Sequence, residues 1–203
     1  GQTPDYWGND YFDDTYFCNG KPKSYEGYCT DVWFDVAMEF IQASEGQPFF
    51  CYLSTNAPHG PYRVAPRYAR PYKDRGVSSP RAEFYGMITN IDDNMGRLLA
   101  FLEHHELAQN TILVFMTDNG TSAGAGGKHG FNAGMRGTKG SLYEGGHRVP
   151  CFVRWPAGAL QGGRDVNALA GHVDMIPTLA GLCNLKIPRH AQLDGINLAP
   201  LLL

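Results

Sequence analysis

The chain has 203 residues, with 17 basic and 20 acidic side chains and a formal net charge of -3. Both signs are mixed along its length, which excludes the basic footprint of a nucleic-acid binder and the polybasic tract of a membrane-surface protein. No apolar run reaches membrane-spanning length, and a single domain of this size is expected to bury about 70% of its unfolded surface.

The five cysteines are too few for a disulfide scaffold and lack zinc-site spacing. Cys51 and Cys151 lie in apolar, strand-like runs and read as small core residues. Cys18 and Cys29 bracket a polar, glycine-containing loop, where an oxidising compartment would let them pair. The start carries no signal peptide, so the chain reads as an excised piece without its address.

Residues 1–29 are rich in Tyr, Asp, Gly and Asn without periodicity, and are expected to form a long ordered loop. Asp13-Asp14 has the look of a metal pair, but no buried strand precedes it, so solvated loop acids are the better reading. From Thr30 a helix is expected, with Trp33, Val36, Ala37, Phe40 and Ile41 on one face and Gly46 as its stop. Pro48 to Ser54 then reads as a buried strand that delivers Asn56 to Pro61 at its end. Tyr62 to Ser79, with several prolines, is expected to be irregular surface chain.

A longer helix is expected from Ser79-Pro80 to about His105, its apolar face formed by Tyr85, Ile88, Ile91, Met95, Leu98, Leu99 and Leu102. Asp92 and Asp93 read as surface or packing groups, and His104 and His105 suit the negative end of the helix dipole. Ile112 to Met116 is short, apolar and β-branched enough to be a strand buried on both faces. It ends on Asp118 and Asn119, at the strand edge where open α/β sheets place their ligands. Both offer hard oxygen donors suited to Ca²⁺ or Mg²⁺, although Asp-Asn-Gly taken alone reads more readily as an ordinary turn. Val149 to Trp155 reads as another strand, and Asp174 as the cap of a helix from Met175 to Leu182. Alternating helix, strand and loop predicts an α/β fold with a mostly parallel sheet flanked by helices.

Four motifs in order sharpen this picture. They are Ala57-Pro-His59-Gly-Pro61; Thr117-Asp-Asn-Gly120 followed by Lys139-Gly-Ser-Leu-Tyr-Glu-Gly-Gly-His-Arg-Val-Pro150; His172-Val-Asp-Met-Ile-Pro-Thr-Leu-Ala180; and Leu193-Asp-Gly-Ile-Asn-Leu-Ala-Pro-Leu-Leu202. From about Asp31 to the end the chain thereby resembles the sulfatases, relatives of alkaline phosphatase. The resemblance implies an alkaline-phosphatase-like fold, incomplete here, with the opening part of the catalytic domain and the C-terminal subdomain outside residues 1–203. It also implies a sulfuric ester hydrolase that works with Ca²⁺ and a formylglycine nucleophile, in a secreted, periplasmic or lysosomal parent.

Residue by residue, the resemblance makes Asp118 and Asn119 metal ligands, Lys139 the contact to a sulfate oxygen, and His59 a donor to the sulfate or the leaving oxygen. Asn119 stands where the zinc phosphatases of the superfamily carry histidine, which points to Ca²⁺. Glu144 and Arg148 are expected to pair with each other. Lys128, His129 and His147 are near enough in sequence to reach substrate. None of Cys18, Cys29, Cys51, Cys151 or Cys183 stands in the family's Cys-X-Pro-X-Arg motif, and the first metal-binding Asp-Asp segment is also missing. The isolated chain is therefore expected to be inactive and to bind Ca²⁺ weakly. Missing opening strands would leave an unpaired edge prone to self-association. The expected partner is a sulfated small molecule or glycan. Two other functions fit parts of the pattern: a phosphodiesterase or phosphomutase of the same superfamily, and a non-catalytic glycan-binding module using Trp7, Tyr62, Tyr68 and Tyr72. Asn119-Gly-Thr121 also matches a glycosylation acceptor.

Overall fold

A computed structural model describes residues 7–44, 46–122, 131–158, 160 and 162–203. The chain divides into two compact units, residues 1–105 with 122–131, and residues 106–121 with 132–203.

The first unit opens on a hairpin rather than the expected loop. Strand β1 (Thr15–Cys18) pairs antiparallel with β2 (Lys21–Ser24) through a two-residue connection. Asn19 and Gly20 both take positive φ, 51° and 77°, as the mirror-image turns of tight hairpins require. The Asn-Gly pair was the legible signal for it. Asp14 is buried and accepts hydrogen bonds from the amides of Asp10 (2.9 Å) and Tyr11 (3.0 Å) and from the Tyr16 hydroxyl (2.6 Å). Asp13 accepts from the Gly27 amide at 2.7 Å. Both acids are thus committed to shaping this segment.

Helix α1 (Cys29–Ala43) buries Thr30, Val32, Phe34, Ala37 and Ile41 and leaves Phe40 exposed, so its inner face is turned from the expected one. Gly46, with φ of 77°, follows its end. Residues 48–54 form no ladder among the described residues and are not a buried strand: Phe50 and Tyr52 are 67% and 83% exposed. Their exposure alternates along the chain, as in an extended segment that lacks a neighbour to take its amides and carbonyls.

The stretch expected to be irregular contains helix α2 (Pro66–Lys73), which starts on proline at its first position. It packs on α3 (Arg81–His104), where a Cβ at Gly86 would meet the backbone of Tyr68 at 2.9 Å. The buried stripe of α3 recurs every four residues: Ala82, Gly86, Asn90, Asn94, Leu98 and Leu102, with Met87 beside it. Ile88 lies outside it, and Asp92 and Asp93 are exposed. The two asparagines are stable inside because both amides donate to one oxygen of Asp31 on α1, at 2.8 and 2.7 Å.

In the second unit, β3 (Leu113–Met116) pairs antiparallel with β4 (Cys151–Arg154), Leu113 opposite Arg154 and Met116 opposite Cys151. Both ladders among the described residues are antiparallel, so the parallel pairing expected of the sheet is not formed within them. With one partner, β3 is half-buried along its length rather than buried on both faces. Helix α4 (Glu144–His147) precedes β4, while α5 (Met175–Leu182) and α6 (Ala199–Leu202) follow it. Asp174 stands at the start of α5 as expected, but its carboxylate serves two loops, accepting the amides of Gly171 and Ile196 at 2.8 Å each. The cysteines are free thiols: Cys18 and Cys29 are not joined, and Cys151 is exposed rather than a core residue. Burial pushes the Cys29 thiol up to about 12.

Candidate active site

The histidine loop belongs to the first unit. Beneath it lies a cluster of Tyr11, Tyr28, Cys29, Ala57 and Met87, with Phe12, Tyr16, Trp33, Tyr62, Val64 and Ile91 packed around it. Ala57 is the loop's anchor in this core, 4% exposed. The loop is held at successive points by side chains and by its own backbone. The Trp33 indole donates to Asn56 Oδ1 (3.3 Å), the Thr55 hydroxyl to the Ala57 carbonyl (2.8 Å), and the His59 amide to the Asn56 carbonyl (3.0 Å). The hydroxyls of Tyr11 and Tyr28 donate to the carbonyls of His59 and Arg63, each at 2.9 Å. Arg63 also pairs with Asp10. The bonds preceding Pro58 and Pro61 are cis, so His59 stands between two cis prolyl bonds.

His59 itself is exposed, and its Nδ1 lies 2.8 Å from the Gly60 carbonyl. A carbonyl can only accept, so Nδ1 carries the proton and Nε2 is the free ring nitrogen. Neutral, Nε2 accepts a hydrogen bond; as imidazolium it donates a proton.

Asp118, Asn119 and Lys139 belong to the second unit, which brings their loops together by backbone contact. Asp118 lies two residues beyond β3, exposed. The Asn119 side-chain nitrogen donates to the Gly120 carbonyl at 3.1 Å, which leaves Oδ1 as the acceptor of that side chain. The Gly120 amide reaches the Gly146 carbonyl at 3.0 Å, and the Lys139 amide reaches the Thr121 carbonyl at 2.8 Å. A side chain at Gly120 would collide with the backbone of Gly145 and Gly146, one at Gly145 with Gly137, and one at Gly146 with Ser141. The glycines of this motif are therefore required by backbone lying against backbone. That packing seats the loop carrying Lys139 against the end of the strand carrying Asp118. The loop is braced by Arg136, whose guanidinium lies 3.6 Å from the centre of the Tyr143 ring. Lys139 is exposed and forms no ion pair among the described residues.

His147 is exposed with Nε2 3.3 Å from the Leu142 carbonyl, and Arg148 pairs with Glu144 at 3.3 Å, as expected. Lys128 and His129 lie outside the described residues. His172 went unnoticed as a site residue, yet its Nε2 is 3.0 Å from the carbonyl of Thr117, immediately before Asp118. No local pattern announces a contact across 55 residues. Of the aromatics considered as sugar platforms, Tyr62 packs edge-on against Phe84 and the Tyr72 hydroxyl bonds Thr89 at 2.7 Å.

No group of three or more histidine, cysteine, aspartate or glutamate side chains among the described residues is placed to hold a metal ion. A carboxylate and an amide oxygen on adjacent residues nonetheless fit a hard cation in donor chemistry, supplying two of the roughly six to eight oxygens that Ca²⁺ takes. No cysteine of the chain is followed by the Pro and Arg that the formylglycine motif needs. In this unit the same backbone contacts bring the lysine-bearing loop to the strand end that carries the two oxygen donors.

The sulfatase family model matches residues 2–185. The chain belongs to the sulfatase family, and the match covers the N-terminal hairpin and the first three motifs, with the segment Leu193 to Leu202 beyond it. It is 33% identical over 187 residues to steryl-sulfatase of Mus musculus, covering 90% of this chain and 28% of that protein. It is 31% identical over 184 residues to N-acetylgalactosamine-6-sulfatase of Canis lupus familiaris, covering 89% of this chain and 34% of that one. Among solved structures, Ps i-CgsB in complex with k-i-k-neocarrahexaose superposes with a TM-score of 0.82 at 32% identity, over 90% of this chain and 40% of that one. The fold is thus part of the alkaline-phosphatase-like sulfatase fold, and the chain spans about a third of the length of these curated relatives.

Proposed function

We propose that the protein hydrolyses sulfate monoesters, with Asp118, Asn119 and Lys139 of the second unit and His59 of the first as the residues that take part. The observation that carries this reading is the glycine packing that seats Lys139's loop against the strand end bearing Asp118 and Asn119. Asp118 and Asn119 Oδ1 would hold Ca²⁺, which when bound supplies Lewis-acid neutralisation of the sulfate oxygens. Lys139 adds a fixed positive charge; a unit pair at about 4 Å is worth roughly 4 kcal/mol at an effective dielectric near 20. His59, protonated, gives its Nε2 proton to the leaving alkoxide while Nδ1 stays on the Gly60 carbonyl. No cysteine of residues 1–203 meets the formylglycine motif, so no step here passes through that nucleophile. Relatives named for a steryl and for an N-acetylgalactosamine-6-sulfate ester favour a sulfated small molecule or glycan as substrate. Self-association through exposed sheet surface is a further proposal, which a sedimentation coefficient that rises with protein concentration would support.

The test uses protein expressed from its complete reading frame with 4-nitrophenyl sulfate and 4-nitrophenyl phosphate. Sulfate turnover that falls by about a hundredfold or more in Asp118→Ala and Lys139→Ala supports the proposal. Turnover of the phosphate alone, or sulfate turnover indifferent to both substitutions, sinks it.

A further inference from the structure

The N-terminal segment carries a device that the reaction chemistry does not require and the motifs do not announce. Tyr11 is buried, 8% exposed, and its backbone sits at φ of 85°, in the left-handed region that costs a residue with a Cβ about 1 kcal/mol or more. That backbone is held from both sides: its amide donates to Asp14 (3.0 Å), and its carbonyl accepts from the Cys29 amide (2.9 Å). The strained residue spends its hydroxyl on one acceptor, the carbonyl of His59, 48 residues away. Burial raises the Tyr11 phenol to about 12, so it is a neutral donor throughout the range in which a sulfatase would work.

We propose that Tyr11 is a positioning residue for His59, fixing through the 59–60 peptide the direction in which the imidazole presents Nε2. The His59 carbonyl lies in the plane of that peptide, and the ring is tied by Nδ1 to the next carbonyl, that of Gly60, at 2.8 Å. Holding the first carbonyl restrains that plane, only the two dihedrals of Gly60 separate it from the second carbonyl, and the second carbonyl sets the ring and its tautomer. Tyr28 clamps the far end of the loop in the same way, at Arg63. The proposal rests on His59 as proton donor, and it assigns the hairpin segment a task in catalysis beyond covering the core.

Tyr11→Phe keeps the ring and removes the hydroxyl. Thr89→Val is the control: it removes a hydroxyl bond of 2.7 Å to Tyr72 on α2, away from Asp14 and the histidine loop. In protein from the complete reading frame, Tyr11→Phe is expected to lower kcat on 4-nitrophenyl sulfate about tenfold with KM within about twofold. Thr89→Val keeps the rate, and in a His59→Asn background Tyr11→Phe has no further effect. Imidazole nitrogen NMR of wild type shows one tautomer protonated at Nδ1, together with a slowly exchanging Tyr11 hydroxyl proton close to Gly60; Tyr11→Phe mixes the tautomers. An equal rate loss in the His59→Asn background overturns the proposal. So does a single unchanged tautomer in Tyr11→Phe, or a wild-type spectrum lacking the protected hydroxyl. Should wild type leave the sulfate ester intact, or His59→Asn match wild type, the hydrolase reading fails, and the spectra still decide the clamp.

Discussion

The loops in the two units of this sulfatase chain are held in place by opposite means. The histidine loop in the first unit is fastened by side chains: two tyrosine hydroxyls, an indole and a threonine, over an aromatic core. The Asp118 and Lys139 loops in the second unit are fastened by backbone on backbone, with glycines at the contacts. A side-chain clamp loses one hydrogen bond at a time, about 1 kcal/mol each. A backbone contact has no partial form, because a Cβ placed in it must push the chain apart.

The largest effect is therefore expected at the glycine contacts. Gly145→Ala would set a Cβ against the Gly137 carbonyl, so the substitution should destabilise by about 3 kcal/mol, at the upper end for overpacking. For a chain of this size that lowers the melting temperature by roughly 6–12 °C, and sulfate ester hydrolysis should be lost with it. Gly96→Ala is the contrast. Gly96 lies within α3 with nothing near its missing Cβ, and the change should stabilise by about 0.5–1 kcal/mol. Thermal unfolding of both variants, with opposite signs, checks the distinction; a neutral Gly145→Ala breaks it.

Next in size is His172, which brings a side-chain clamp into the second unit. His172→Ala removes the hydrogen bond to the Thr117 carbonyl and should cost about 1 kcal/mol of stability. Because the anchored residue adjoins Asp118, hydrolysis should fall by about tenfold, more than the stability loss accounts for. His172→Gln, able to donate to the same carbonyl, should recover most of the rate. A rate that tracks melting temperature alone across the three proteins would show that His172 only holds the fold.

Asp174 offers a pH-dependent version of the same test. Its two backbone amide donors, Ile196 first and Gly171 second, hold its carboxyl below the usual value of 3.8. A depressed carboxyl stabilises the fold fully above its unfolded pKa, and that contribution fades as pH falls through the folded value. The melting temperature of wild type should thus drop below about pH 4 more steeply than that of Asp174→Asn, which has no charge to lose. Parallel curves for the two proteins would remove Asp174 from the account.

The same contrast explains what the amino-acid sequence disclosed. Glycine contacts are written locally, so Tyr143-Glu-Gly-Gly146 and Asp118-Asn-Gly120 were legible as motifs, and helix α5 began and ended where Asp174 and the apolar run put it. Long-range side-chain bonds leave no such trace. Nothing near Tyr11 or His172 points to partners 48 and 55 residues away, and nothing near Asn90 and Asn94 declares the single carboxylate oxygen of Asp31 that lets them lie inside α3. Hence the stripe of α3 was drawn through apolar residues, with Ile88 inside it, whereas the packed stripe runs through the asparagines. The hairpin at Asn19-Gly20 is a different miss, since its signal was local and was hidden by the irregular, tyrosine-rich composition around it. Residues 48–54 have a strand's composition, and a strand also needs a neighbour.

The smallest effect is expected where a side-chain pair lies on the glycine-held loop without holding it. Glu144 and Arg148 face each other across one turn of α4 at 3.3 Å, with side chains 61% and 68% exposed. Pairs this open are screened by water and salt and contribute about 0.3–0.5 kcal/mol even at ideal helical spacing. Glu144→Gln should therefore shift the melting temperature by no more than about 2 °C and leave hydrolysis unchanged, with the small difference vanishing in high salt. The loop's geometry comes from Gly120, Gly145 and Gly146, and those contacts carry no charge. A larger, salt-sensitive loss in Glu144→Gln would mean that electrostatics, and not the close approach of bare backbone, keeps Lys139 in register with the end of β3.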